Sequence, residues 1–151
     1  MKAQDIMKKP VIKVKKQDNV RAVIEKFIEH GISGLPVVNE RNEIVAYISD
    51  GDIMRYIGKY NDVIIDTFYF VNVIKGDQEE FDTRVKNILD MNVMEIGQKS
   101  VNKVSWDENI ERIASILGKK HIKKLPVERN GVLVGIISRG DVIRHSFKAL
   151  M

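Results

Sequence analysis

The 151-residue chain has no cysteine, three prolines, three histidines and only 7% aromatic residues. Without cysteine there is neither a disulfide framework nor a thiol nucleophile, which excludes a stapled secreted scaffold and cysteine-based covalent catalysis. His30, His121 and His145 are too few for an all-protein zinc cage unless carboxylates complete it, so no metal site is expected. No apolar run approaches the roughly 20 residues that cross a bilayer, and Met1-Lys2-Ala3-Gln4-Asp5 leads into lysines rather than a signal peptide's hydrophobic stretch. A soluble cytoplasmic protein without a membrane partner is expected. Also missing are the G-x-x-x-x-G-K-[ST] phosphate loop and the G-x-G-x-x-G dinucleotide turn, while Gly31-Ile32-Ser33-Gly34 lacks the spacing of a hydrolase elbow. Nothing in this inventory points to an enzyme.

What is present is a core-sized hydrophobic fraction of 44% and a net charge of +4 that is unevenly spread. Residues 1–58 carry 10 basic and 8 acidic side chains, residues 59–98 carry 4 and 8, and residues 99–151 carry 11 and 5. An acidic middle and a basic final third suit a local anion site better than a surface that coats a polyanion.

The chain repeats itself. Gly31-Ile32-Ser33-Gly34-Leu35-Pro36-Val37-Val38 aligns with His121-Ile122-Lys123-Lys124-Leu125-Pro126-Val127-Glu128 at an offset of 90. Ile48-Ser49-Asp50-Gly51-Asp52-Ile53-Met54-Arg55 aligns with Ile137-Ser138-Arg139-Gly140-Asp141-Val142-Ile143-Arg144 at an offset of 89. The lost residue falls between apolar runs, at Glu40-Arg41-Asn42-Glu43 and Arg129-Asn130-Gly131, where a β-hairpin tolerates it. Each copy has an amphipathic helix before its Leu-Pro-Val strand: Val20, Val23, Ile24, Phe27 and Ile28 after an Asp18 cap, and Ile110, Ile113, Ala114 and Leu117 after an Asp107 cap, with Gly31 and Gly118 near the ends. Val11–Val14 and Val101–Val104 read as leading strands, Asp50–Gly58 and Arg139–Leu150 as closing helices. The expected fold is α+β (α/β): two β-α-β-β-α units of about 50 residues, each too small to stand alone, packed sheet to sheet as a pseudo-symmetric pair. Residues 1–58 form the first unit, 59–91 an insert and 92–151 the second. In the insert, Val63-Ile64-Ile65 and Phe68-Tyr69-Phe70-Val71 read as packing segments, and Asp77–Leu89, begun at Gly76-Asp77, as a helix presenting Phe81, Val85, Ile88 and Leu89.

Two Leu-Pro-Val strands, two hairpins and two Ile-Ser-x-Gly-Asp helix starts resemble tandem CBS domains, the pair called a Bateman module. Asp5-Ile6-Met7 is a further likeness, with Asn92-Val93-Met94 as its echo. The resemblance covers nearly the whole chain outside about residues 60–90. It implies a stand-alone regulatory module, without catalysis or a catalytic cofactor, that binds an adenosine nucleotide (AMP, ADP or ATP) or S-adenosylmethionine between the repeats. A homodimer and an effector protein of unknown identity are implied as partners.

The resemblance places the ribose on Ser49 with Asp52 and on Ser138 with Asp141. The chemistry is sound on its own terms: a carboxylate just inside a helix N-terminus accepts from both ribose hydroxyls, while nearby N–H groups attract phosphate. Gly51 and Gly140 permit close approach. A capping box explains the same residues, and Arg55 and Arg144, three positions on, suit an ion pair with the aspartate better than a phosphate. The adenine pocket, by resemblance, falls to Ile12, Lys13, Gly34, Leu35 and Pro36 on one side and to Asn102, Lys103, Lys124, Leu125 and Pro126 on the other. Lys123, Lys124, Arg139 and His121 stand where the first copy has Ser33, Gly34, Asp50 and Gly31. Together with Gly140 and Arg144 they nominate the Asp141 site for a phosphorylated ligand, leaving Asp52 a less charged ligand or none. A nucleic-acid surface built from Tyr56, Tyr60, Phe68 and Tyr69 with Lys8, Lys9, Lys13, Lys15 and Lys16 is one rival reading, and a dimerisation unit with vestigial pockets is the other. The mild net charge and the apolar setting of those aromatics argue against nucleic acid. Met54, Met91 and Met94 are expected to fill core gaps or interfaces.

Overall fold

Valine- and isoleucine-rich runs bracketed by polar turns give each repeat a three-stranded sheet. The structure, a computed structural model, describes residues 1–58, 63–66, 71–74, 80–119 and 122–151. In chain order the first repeat holds α1 (Ala3–Ile6), β1 (Val14–Lys15), α2 (Val20–His30), β2 (Gly34–Val38), β3 (Ile44–Ser49) and α3 (Asp50–Ile57). The hairpin strands β4 (Val63–Asp66) and β5 (Val71–Ile74) follow, then α4 (Phe81–Ile88). The second repeat runs α5 (Val93–Ile96), β6 (Val104–Ser105), α6 (Ile110–Lys119), β7 (Lys124–Arg129), β8 (Val132–Ser138) and α7 (Arg139–Phe147), which ends in a 3-10 turn over Lys148–Leu150. In each sheet a short first strand pairs parallel to the second, which pairs antiparallel to the third: β1-β2-β3 and β6-β7-β8. This is the mixed helix-and-strand duplication expected from the repeat.

Local details correct several expectations. The leading strands are two residues long, not four. Asn19, not Asp18, caps α2, its Oδ1 accepting from Ala22 N at 3.2 Å, and Asn109 Oδ1 accepts from Arg112 N at 2.8 Å at the start of α6. A capping side chain must sit directly before the first helical residue to reach those amides. Asp18 and Asp107 lie further back and accept instead from Lys15 N and Ser105 Oγ. Gly31 ends α2 with φ of 61°; Gly118 is near the end of α6 as expected, its last residue but one, without a left-handed φ. The one-residue difference between repeats falls in the hairpins: Asn130 (φ 53°) and Gly131 (φ 81°) make a two-residue left-handed turn, whereas β2 and β3 need a longer connection with Asn42 at φ 61°. The helix α4 starts at Phe81, which is exposed, and buries Ile88 together with Arg84, whose Nε donates to Ile57 O at 2.9 Å at the end of α3. The expected start at Gly76-Asp77, the segment 67–70 and Tyr60 lie outside the described residues.

The two short helices cross over. The first core gathers Val14, Val20, Val23, Leu35, Val37, Ala46, Ile48 and Ile53 and is completed by Ile88 at the end of α4 and Val93 at the start of α5. The second gathers Val104, Ile113, Leu117, Leu125, Val127, Ile137 and Val142 and is completed by Ala3 and Ile6 from the chain's first turn. Backbone bonds fix both crossings: Ala3 N donates to Glu108 O (2.7 Å) and Lys8 N to Ile136 O (2.9 Å), while Val93 N donates to Asp18 O (2.9 Å) and Gln98 N to Tyr47 O (2.8 Å). These bonds set the register at 90, so Asp5-Ile6-Met7 corresponds to Glu95-Ile96-Gly97 and the Asn92-Val93-Met94 echo is three residues out of step. A third cluster, Val38, Ile44 and Leu133, joins the sheets, and there Asn42 Nδ2 donates to Leu133 O at 3.0 Å. Met91 and Met94 pack against the first core; Met54 is exposed. Among the described residues, no helix is long and apolar enough to cross a membrane.

The crossing also sets a size constraint. A Cβ added at Gly135 would lie 2.4 Å from Met7 Sδ and 2.9 Å from Met7 Cβ. Gly135→Ala is therefore expected to lower unfolding free energy by about 1–3 kcal/mol through displacement of the α1 segment. Gly118→Ala, in a helix with open space around it, is expected to raise it by about 0.8–1 kcal/mol. Urea titration of the two variants checks both signs.

Candidate functional site

Each sheet delivers its last strand into a helix through Ser-x-x-Asp. Ser49 N and Oγ donate to Asp52 Oδ2 at 3.0 and 3.3 Å; Ser138 N and Oγ donate to Asp141 Oδ2, both at 2.9 Å. These are capping boxes, and they bury their carboxylates: Asp52 is 5% exposed and Asp141 2%. Arg55 pairs with Asp52 Oδ1, and Arg144 NH2 donates to Asp141 Oδ1 at 2.8 Å. The second partner of each Oδ1 comes from the crossing segment. Gln98 Nε2 donates to Asp52 Oδ1 at 2.9 Å, and Lys8 Nζ lies 3.3 Å from Asp141 Oδ1.

A cleft of about 330 Å³ opens beside Asp52, within the usual size of small-molecule sites. Ser33, Gly34, Tyr47, Ser49, Asp50 and Asp52 line it from the first repeat, and Gln98, Ser100, Val101, Asn102, Ile122, Lys123, Lys124 and Pro126 from the second. Of the residues nominated from sequence, the structure brings Ser49, Asp52, Gly34, Asn102, Lys123, Lys124 and Pro126 together here. The sequence grouped the two lysines with Asp141; both stand in the wall of the Asp52 cleft, and Lys124, opposite Ser138 in the β7–β8 ladder, also interacts with Asp141. Gly34 is required by Tyr47, whose Oη would lie 2.6 Å from a Cβ at that position.

The other nominees lie elsewhere. Arg139 spends its guanidinium on Ile122 O and Leu117 O, both at 2.8 Å, closing the end of α6. Lys103 Nζ pairs with Glu128 at 3.1 Å, and Lys13 Nζ donates to Asn42 Oδ1 at 2.6 Å. Leu35 and Leu125 are fully buried core residues, Ile12 packs against the first core, and Pro36 sits in the β2–β3 ladder opposite Tyr47. The open face of Gly140 is covered by the Arg144 guanidinium. Ser138 and Asp141 form their own corner with Lys8, and His121 lies outside the described residues. Sequence reasoning missed Tyr47, Gln98 and Ser100. The register of 90, carried forward from Lys8, is the signal that flags Gln98.

Burial raises the Asp141 carboxyl, but hydrogen bonds from Ser138 backbone and side chain, Arg144 and Lys8 outweigh it and hold its pKa below the ordinary aspartate value. Burial lowers the Lys124 ammonium, helped by Lys8 and opposed by Asp141. Tyr47 is pushed up to about 12 by burial and by Asp50. The cleft thus combines two lysines at its edge, a hydrogen-bonding carboxylate, amide and hydroxyl donors and an aromatic wall.

A duplicated β-α-β-β-α module with a polar cleft between its halves is the architecture of a CBS pair. The CBS domain profile matches residues 3–59 and 93–148, and the chain belongs to the CBS domain family. It is 33% identical over 151 residues to the uncharacterized protein MJ1426 of Methanocaldococcus jannaschii, covering 95% of this chain and 89% of that one. The chloroplastic CBS domain-containing protein CBSX2 of Arabidopsis thaliana is 27% identical, with 89% of this chain and 58% of the relative covered. Among solved structures, CBSX2 in complex with AMP superposes with a TM-score of 0.74 at 22% identity, covering 99% of this chain and 98% of that one. The CBS domain pair of protein MJ0100, in complex with 5′-methylthioadenosine and S-adenosyl-L-methionine, gives 0.71 at 21% identity, covering 100% and 98%.

Because the folded Asp141 pKa is depressed, its contribution to stability is present above the unfolded value of about 3.9 and is lost as pH falls through the folded value. Asp141→Asn is expected to lower stability at neutral pH and to flatten the acid limb of the profile. Unfolding free energies measured at several pH values between about 7 and 2 check this.

Proposed function

We propose that the chain is a regulatory module, not an enzyme, that takes an adenosine derivative in the cleft at Asp52. The observation that carries this reading is the meeting, across one cleft of about 330 Å³, of Ser49 and Asp52 from one repeat with Lys123 and Lys124 from the other. A ribose hydroxyl exchanges with Gln98 at Asp52 Oδ1. The lysines receive phosphate or carboxylate, each charge-assisted bond contributing roughly 1.5–3 kcal/mol. A base fits between Tyr47 and the Val101–Asn102 segment. The AMP and S-adenosylmethionine complexes of CBS pairs with the same fold support this ligand class.

Because the ligand touches both repeats, occupancy changes their relative placement, and the effector is a separate cytoplasmic protein or the partner of a homodimer. A coupling of about 1–3 kcal/mol is enough to switch an effector's affinity. The homodimer reading rests on Met54 and Ile143, aligned positions on α3 and α7 that are 59% and 57% exposed. Nucleic-acid binding finds less support: Lys13 and Lys16 are engaged with Asn42 and Glu40, and Tyr56 packs against the first core.

Calorimetric titration with AMP, ATP, S-adenosylmethionine and 2′-deoxy-AMP tests the reading. The deoxy ligand against wild type, and AMP against Asp52→Asn, are each expected to bind about tenfold or more weakly than AMP to wild type. Lys123→Ala with Lys124→Ala is expected to weaken ATP more than S-adenosylmethionine. Unaltered affinity in the deoxy and Asp52→Asn arms overturns the ribose assignment. Oligonucleotide binding with steep salt dependence supports the nucleic-acid reading, and a stable dimer inert to all ligands supports the structural one.

A further inference from the structure

We propose that Lys8 holds the Asp141 corner closed to a ribose, so that each chain takes one adenosine-type ligand, at Asp52; the proposal rests on the adenosine reading above. The two carboxylates share most of their hydrogen-bond partners. Each Oδ2 accepts from its own serine, N–H and hydroxyl, and each Oδ1 accepts from the arginine three residues on. The remaining position on Oδ1 belongs to the crossing segment, where the backbone bridges Tyr47↔Gln98 and Lys8↔Ile136 place Gln98 and Lys8 in equivalent registers. There the chemistry diverges.

Gln98 is neutral and carries both a donor and an acceptor. When a ribose hydroxyl takes over Asp52 Oδ1, the displaced amide can accept from that same sugar, and no charge is stranded. Lys8 offers donors only, and its ammonium shares with the Arg144 guanidinium the neutralisation of a carboxylate that is 2% exposed. A neutral hydroxyl displacing it would exchange an ion pair at a buried carboxylate for an ordinary hydrogen bond, and would leave the ammonium facing Lys124, with which it already interacts unfavourably.

The positions that follow reinforce the difference. Two and four residues after Gln98 the chain presents Ser100 and Asn102, both in the cleft wall; the aligned residues after Lys8 are Pro10 and Ile12. Proline has no N–H and isoleucine has no polar side-chain atom, so at these two positions the Asp141 side offers a nucleoside no side-chain hydrogen bond. Tyr47 lines the cleft at Asp52, and its equivalent is Ile136.

The test is calorimetric stoichiometry with AMP as the probe, on the full chain, with thermal unfolding confirming that each variant is folded. Lys8 is 63% exposed, so Lys8→Gln and Lys8→Met disturb no core. Wild type is expected to take one AMP per chain, lost in Asp52→Asn. Lys8→Gln is expected to take two, the second lost when Asp141→Asn is added, and Lys8→Met to gain the second site at lower affinity. Gln98→Lys is expected to lose the single site. If wild type binds one AMP and both Lys8 variants still bind one, Lys8 is not the barrier and the proposal falls while the adenosine reading stands. Two AMP molecules bound by wild type overturn the proposal in the same way. If neither wild type nor the Lys8 variants bind AMP, the adenosine reading itself is overturned, and this proposal with it.

Discussion

The constraint on which the rest of the molecule depends is the exchange of short helices between the repeats. Neither repeat's core is complete until α1 or α5 arrives from elsewhere in the chain: Ala3 and Ile6 of α1 seal the sheet of the second repeat, while Val93 of α5, with Ile88 of α4 beside it, seals that of the first. A unit of about 50 residues buries too little surface to fold alone, and the exchange makes the halves mutually necessary. It also carries each crossing segment past the other repeat's Ser-x-x-Asp corner. The residue that meets each buried carboxylate is therefore supplied by the connection rather than by the repeat.

The carboxylates themselves are fully engaged within the protein. Asp52 and Asp141 cap their own helices, accept from their own serines and pair with Arg55 and Arg144, so the capping role and the proposed binding role use the same atoms. Any ligand at such a corner works by replacement, which makes the identity of the replaced group decisive. A neutral amide can be traded within a hydrogen-bond network at little cost, whereas a cation at a buried carboxylate cannot.

Much of the fold is legible in the sequence. Two blocks at offsets of 90 and 89, helical spacing in Val20–His30 and Ile110–Lys119, and the polar turns between apolar strands all report local physics, and the structure has the elements where that physics puts them. The cap at Asn19, the short leading strands and the out-of-step Asn92-Val93-Met94 echo escape a sequence reading because they depend on which single residue touches a neighbour. At the site, Ser49 and Asp52 are legible because a capping box has a fixed spacing. Gln98, 46 residues from Asp52, is not, since only the crossing brings the two together. Lys123 and Lys124 group with Asp141 by their aligned positions in the second repeat, which does not show that the same strand start also walls the Asp52 cleft.

The packing of Met7 on Gly135 shows how far the duplication has diverged. The corresponding positions are Gly97 on the other crossing segment and Ala46 on the other sheet: bulk on the connection faces a bare strand in one half, while in the other the connection is bare and passes close to Tyr47 O and Ile48 Cβ. A chain assembled from two copies of the first repeat would drive a methionine into an alanine, and one assembled from two copies of the second would set glycine against glycine across a gap. The halves have become specific for one another, like the subunits of an obligate heterodimer that happens to be encoded as a single chain.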